Sequence, residues 1–222
     1  MSYFVKELFY TLQGEGLHAG TAAVFLRFAG CNLWSGREHE RDKGKGGCAR
    51  WCDTEFVGTD GVGGGRFETA NSLAESASLL WDASVTNEPL GTSKRYVVCT
   101  GGEPALQLDQ ELVDALHANN FCIAIETNGT LPLPEGIDHV CLSPKAGAPV
   151  VISKADAIKL VYPQPEAEMS PEGFEHGPFG HWFLQPLDNI TKQKNTAACV
   201  AYCLKHPRWR MSLQTHKLLG IP

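Results

Sequence analysis

Hydrophobic positions along this chain fall into short unbroken runs separated by stretches of helical spacing. AAVFLRF from Ala22 to Phe28, RYVVC from Arg95 to Cys99 and FCIAI from Phe121 to Ile125 read as strands. VCL at Val140 to Leu142, IKLV at Ile158 to Val161, WFL at Trp182 to Leu184 and RMSL at Arg210 to Leu213 add further short ones. Between them, Leu73, Ala77, Leu80 and Trp81 recur at helical spacing, and Asp109-Gln110-Glu111 opens a second apolar stripe that runs to Leu116. A further helix is expected over Gln193 to Lys205. Helix and strand signals alternate, which favours α/β architecture over an antiparallel sandwich. At 222 residues the chain fits an open or incomplete barrel better than a full eightfold one.

The pattern breaks from Cys31 to Phe67, where Gly, charged and polar residues recur as in an elaborated loop. No linker or internal repeat divides the rest, so one domain over residues 1–222 is expected, with 31–67 as an elaboration of it. A 43% hydrophobic fraction permits a substantial core. The formal charge of -6 gives no overall attraction to nucleic acid or anionic membrane. The start, MSYFVKE, lacks the basic-then-apolar order of a signal peptide, and no apolar run is long enough to span a membrane, so a cytoplasmic location is expected. In a reducing compartment eight cysteines suit buried packing, metal ligation or thiol chemistry better than disulfides.

Polar groups sit where the strand runs end: TGGEP after RYVVC, ETNGT after FCIAI, SPK after VCL, QPLD after WFL and QTHK after RMSL. In parallel α/β folds the loops at the carboxyl ends of strands gather around one site, so these segments are expected to converge. Cys31, Cys48 and Cys52 share the elaborated segment. Three thiolates can hold three irons of a cubane and leave the fourth open to an external ligand; they can equally hold zinc with His39 as a fourth ligand, or pack as ordinary buried thiols. Spacing alone does not choose. Cys99, Cys122 and Cys141 fall in strands, and Cys199 and Cys203 lie four apart on a helix, which suits core packing. Taken singly, GGEP reads as a turn, Arg27 as a surface pair, His216 as a packed imidazole and Thr54 as a loop hydroxyl.

The ordered set FYTLQGEG at Phe9 to Gly16, CDT at Cys52 to Thr54, TGGEP at Thr100 to Pro104, ETNGT at Glu126 to Thr130, SPK at Ser143 to Lys145 and the ending SLQTHKLLGIP resembles the 7-carboxy-7-deazaguanine synthase family of radical S-adenosylmethionine enzymes. The likeness spans almost the whole chain. It departs from the family at CARWC, where three residues rather than two separate Cys48 from Cys52.

The resemblance implies a modified, incomplete TIM-like barrel of the radical S-adenosylmethionine type. It implies a carbon–nitrogen lyase that converts 6-carboxy-5,6,7,8-tetrahydropterin to 7-carboxy-7-deazaguanine and ammonia by radical ring contraction, in queuosine precursor biosynthesis. Cys31, Cys48 and Cys52 would hold a [4Fe-4S] cluster. Asp53, Gly102, Glu103, Asn128, Ser143, Pro144, Lys145, Gln185, Pro186, Leu187 and Asp188 would surround S-adenosylmethionine, with Glu103 near its methionyl amine. Leu12, Gln13, Gly14, Glu15, Arg27, Thr100, His216 and the terminal carboxylate of Pro222 would contact substrate, Arg27 by pairing with its carboxylate. Thr54 would ligate Mg2+ and act by positioning rather than as a nucleophile, and no catalytic side chain is expected. A flavodoxin-like or other cellular electron donor and a homodimer are implied; nucleic-acid and membrane partners are not. The alternatives are a structural zinc-binding interaction domain and another radical S-adenosylmethionine enzyme.

Overall fold

Nine strands join in one sheet in a computed structural model that describes residues 1–85 and 94–222. In chain order they are β1 (Tyr3–Leu12), β2 (Ala22–Phe28), β3 (Gly65–Phe67), β4 (Arg95–Gly101), β5 (Phe121–Thr127), β6 (His139–Leu142), β7 (Ala155–Tyr162), β8 (Phe179–Pro186) and β9 (Trp209–Met211). The helices are α1 (Ala70–Ser84), α2 (Gln110–Ala118), α3 (Lys192–Lys205) and α4 (Thr215–Leu219). Spatially the order is β3-β1-β2-β4-β5-β6-β7-β8-β9. β1 runs antiparallel to β2 and β3, and every pair from β2 to β9 is parallel. This open, mostly parallel sheet is the incomplete barrel that the alternation of apolar runs implies.

Each apolar run read as a strand is one, and most extend further than the run itself. The exception is RMSL: β9 stops at Met211, and Ser212 turns its hydroxyl towards Gln185. β1 is an addition. Its apolar alternation is broken at Lys6 and Glu7, where the register with β2 shifts between Val5 and Glu7. Lys6 is only 4% exposed, and its Nζ lies 3.0 Å from Glu55 Oε1 and 2.8 Å from Asp60 Oδ1. Two carboxylates from the elaborated segment thus make a buried lysine tolerable inside a strand. That segment is not wholly irregular either, since β3 pairs with Tyr3 to Val5.

α1, α2 and α3 cover one face. Thr69 and Ser72 form a reciprocal capping box that starts α1, and Leu73, Ala77 and Trp81 then turn inward. Trp81 meets Tyr10 and Phe121 edge-on. Asp109 Oδ1 caps α2 by accepting from Leu112 N at 3.0 Å and also accepts the Tyr3 hydroxyl at 2.7 Å, which ties the helix to the first strand. α3 lies over β7, β8 and β9. Cys99, Cys141 and Cys199 are buried in the packing, whereas Cys122 and Cys203 are only partly so.

The opposite face is closed at the strands' amino ends by the connection between β1 and β2. Leu17 packs on Cys141, Ala157 and Phe183, and the His18 ring stands 5.1 Å from Tyr96 and 4.6 Å from His139. Among the described residues no helix is long and apolar enough to cross a membrane.

Leu26 on β2 is fully buried in the main core. Leu26→Ala is expected to lower unfolding free energy by about 2–5 kcal/mol, read as a shift of the urea midpoint with the slope unchanged.

Candidate functional site: one cavity at the strand ends

Strand register decides which residues meet at the carboxyl ends of the barrel. Arg27 pairs with Thr100, Phe28 with Gly101, Thr127 with Leu142 and Val161 with Gln185, so the segments that follow these strands emerge near one level. They enclose a cavity of about 350 Å³, within the range of small-molecule sites, about 300–1,000 Å³. Thr100, Gly102, Asn128, Ser143, Lys145, Gln185 and His216 all line it, so the expected convergence of the strand-end motifs takes place. Gln13 and Glu15 line it from the connection between β1 and β2, Arg27 from β2, and Cys31, Cys48, Cys52, Asp53 and Thr54 from the elaborated segment.

A buried charge cluster forms part of the cavity wall. Lys159, on β7, places Nζ 2.5 Å from Glu15 Oε2 and 2.8 Å from Glu126 Oε2, with side-chain exposures of 7%, 16% and 19%. Burial alone would raise the Glu15 carboxyl, but the Lys159 ammonium overrides it and holds the group below the usual carboxylate range. Burial would likewise lower the lysine, and the Glu126 and Glu15 charges instead hold it well above its ordinary value. Gln185 Nε2 donates to Glu15 Oε1 at 3.2 Å. Burial holds the His216 imidazole below its usual value, which favours its neutral form at pH 7.

The three thiols share the cavity wall, and burial raises the Cys31 thiol above its ordinary range. Burial pushes the Cys48 thiol up to about 11. The wider spacing of CARWC is taken up by a 3-10 turn over Gly47–Arg50, in which Trp51 N and Cys52 N both donate to Cys48 O, at 3.0 and 2.7 Å. Among the described residues no three His, Cys, Asp or Glu side chains close on one point as the ligands of a single zinc ion must. His39 is 74% exposed and sits beside Glu40, so it does not complete a tetrahedral zinc set.

Gly101 and Gly102 bring backbone to the cavity where no side chain fits. Gly101 has φ +137°, and a Cβ on Gly102 would lie 2.1 Å from Gly30 O. Glu103 follows this glycine pair at the end of β4. It is fully buried and does not line the cavity; Oε1 accepts from Thr127 Oγ1 and Ala105 N, and Oε2 accepts from Asn128 N. Its carboxylate joins the end of β4 to the end of β5. Asn128 in turn donates to Asn32 Oδ1 at 3.1 Å, beside Cys31.

Pro186, Leu187 and Asp188 line a small adjoining recess with Asp53 and Trp51. Leu12, Gly14, Pro144 and Pro222 are outside the cavity lining. Leu12 is 38% exposed, Pro144 is buried, Gly14 backs onto His216, and Pro222 O accepts from Thr11 Oγ1 at 3.0 Å.

Comparison with known proteins gives a consistent result. No protein-family model matches the chain. It is 55% identical over 222 residues to the 7-carboxy-7-deazaguanine synthase of Bordetella pertussis, covering 100% of both chains. It is 54% identical over 221 residues to the Bradyrhizobium diazoefficiens synthase, again covering 100% of both. The chain belongs to the 7-carboxy-7-deazaguanine synthase family. The crystal structure of QueE from Escherichia coli superposes with a TM-score of 0.68 at 25% identity, covering 96% of this chain and 94% of that one. This likeness is consistent with the radical S-adenosylmethionine type of incomplete barrel.

Within this synthase-family cavity, sequence reading passed over Glu7, Lys159 and Lys217. Arg27 donates through Nε to Glu7 Oε2 at 2.9 Å. Lys217 Nζ bridges Asp53 Oδ2 and Asp188 Oδ2, both at 2.6 Å, and so links α4 to two other segments. Lys159 carried a signal, because one lysine inside the apolar run IKLV needs a buried partner.

Lys159→Met leaves Glu15 and Glu126 unpaired and is expected to cost about 3–5 kcal/mol at pH 7 in denaturant titrations of the metal-free protein. Because the Glu15 pKa is depressed on folding, its stabilisation is present above the ordinary 4.5 and is lost as pH falls through the folded value. The stability gap between wild type and Glu15→Gln should therefore narrow steadily as the medium is acidified below that point. A gap that stays constant would contradict the ion pair.

Proposed function

We propose that this chain converts 6-carboxy-5,6,7,8-tetrahydropterin to 7-carboxy-7-deazaguanine and ammonia, with Cys31, Cys48 and Cys52 holding a [4Fe-4S] cluster whose open iron takes S-adenosylmethionine. The observation that carries this reading is a single cavity lined by three thiols, a glycine cradle and a buried carboxylate–lysine centre. It lies in a chain 55% identical over its full length to a 7-carboxy-7-deazaguanine synthase. When bound, the cluster and S-adenosylmethionine supply a hydrogen-abstracting carbon radical, chemistry that no side chain provides.

The protein's own work is to hold and to shield. The Gly102 backbone, Ser143, Lys145 and Gln185 form the cofactor side, with Asp53, Asn128, Pro144 and the Pro186-Leu187-Asp188 segment around it. Lys145 donates to Ser143 Oγ at 2.6 Å and lies over the Trp51 ring, so its ammonium is held at the wall. On the substrate side, Glu15 and Glu126 are acceptors for the N–H edge of a pterin. Among the described residues the terminal Nη donors of Arg27 have no protein partner, which leaves them for the substrate carboxylate. Gln13, Thr100 and neutral His216 line the same space, with Leu12, Gly14 and Pro222 behind them. Thr54 would offer one hard oxygen to Mg2+, which would help to orient the anionic substrate. A flavodoxin-like or comparable electron donor and a homodimeric assembly belong to the same proposal, with likeness to the family as their support.

Anaerobic reconstitution followed by iron, sulfide and zinc quantification, electron paramagnetic resonance of the reduced protein and mass analysis of the product tests this reading. Wild type is expected to hold a reducible cluster and release the deazaguanine, and Cys48→Ala to lose both. Stoichiometric zinc with no reducible cluster defeats the radical assignment. An intact cluster that yields no deazaguanine with Mg2+ and a competent reductant defeats the substrate assignment.

A further inference from the structure

The segment between Cys31 and Cys48 sends a guanidinium back to the thiols. Arg41 lies in a 3-10 turn over Glu38–Lys43. Its Nη1 donates to Ala49 O at 2.7 Å and to Cys52 O at 3.2 Å, and Nη2 donates to Cys52 O at 3.2 Å. Nε donates to both Glu38 oxygens, at 2.7 and 2.8 Å. The guanidinium stands 4.8 Å from the centre of the Trp34 ring, and Trp34 is itself buried against Phe56. Glu38 and Trp34 together fix the plane of the fork, so its terminal nitrogens reach the two carbonyls already oriented.

Those carbonyls bracket Arg50, Trp51 and Cys52. Inside the turn Trp51 N and Cys52 N are both spent on Cys48 O. The Ala49 and Cys52 carbonyls therefore take their donor from outside it. A turn this short has little stability of its own, and the extra residue between Cys48 and Cys52 gives it more freedom to lose.

We propose that Arg41 is a positioning residue for the thiol wall: by gripping the Ala49 and Cys52 carbonyls it holds the wide Cys48–Cys52 turn in the shape that receives the cluster and sets a fixed positive charge beside Cys52. The inference rests on the assignment of the three thiols to that cluster. Groups that orient a metal's ligands typically contribute about 10–100-fold in affinity, and a fixed positive charge near a cluster favours its reduced form. Lysine keeps the charge but lacks the planar fork that spans two carbonyls.

Wild type, Arg41→Lys and Arg41→Met are to be reconstituted anaerobically and compared by iron and sulfide content, iron release to a chelator, and midpoint potential from electron paramagnetic resonance titration. Labelling of Cys48 and Cys52 in the metal-free chains, with circular dichroism as the check on folding, is read alongside. Arg41→Met is expected to release iron about tenfold faster or more, to label faster at both cysteines and to have a lower midpoint potential. Arg41→Lys should recover most of the potential but little of the retention. If wild type fills normally and Arg41→Met matches it in release, labelling and potential, the inference is overturned while the assignment of the thiols stands. If wild type takes up no cluster, both fall.

Discussion

A lysine ammonium buried between two carboxylates fixes how the barrel is assembled. Lys159 comes from β7, Glu126 from β5 and Glu15 from the connection between β1 and β2, so one charged group unites strands that are not neighbours in the sheet. The pull on Glu15 draws that connection into the barrel, where Leu17 and His18 close the floor and Gly16 N reaches Ser212 Oγ at 2.9 Å. With its charges uncompensated the cluster would be expelled towards water, and the connection with it. The two carboxylates exceed the one ammonium, so the cavity wall keeps an excess of hydrogen-bond acceptors.

From that tie the chain's two ends meet. Gly14 O accepts from Thr215 N at 3.0 Å and from Thr215 Oγ1 at 2.9 Å. This sets His216 against Gly14 and Lys217 between Asp53 and Asp188. The last helix thus has His216 on the side proposed for substrate and Lys217 on the side proposed for S-adenosylmethionine.

Much of the barrel was legible because strands buried in a parallel sheet need to be apolar throughout, and RYVVC or FCIAI show that directly. β1 was not, because Lys6 and Glu7 interrupt its alternation and the partners that make Lys6 tolerable lie about fifty residues on, at Glu55 and Asp60. The site was legible as a set of motifs and less so as contacts. Glu103 stands in a motif whose residue types are plain, yet whether its carboxylate faces a ligand or the protein depends on where Thr127 and Asn128 arrive. That is decided by strand pairing rather than by local spacing.

Glu103, Lys6 and Arg41 show a common physical device. Each is a charged side chain that meets backbone or oppositely charged groups of a second segment, and each holds irregular chain around the cavity. A segment such as 31–67 has few ladder bonds to stiffen it, and apolar packing is non-directional, so neither fixes the orientation of a thiol or a carbonyl. Charge-assisted hydrogen bonds are directional and strengthen as water is excluded, so they are suited to that task. The cost is desolvation of each charge, and burial pushes the Glu103 carboxyl up despite its three donors. The barrel can therefore be read as a rigid frame from which a small number of buried charges orient loops that have no regular structure to do so.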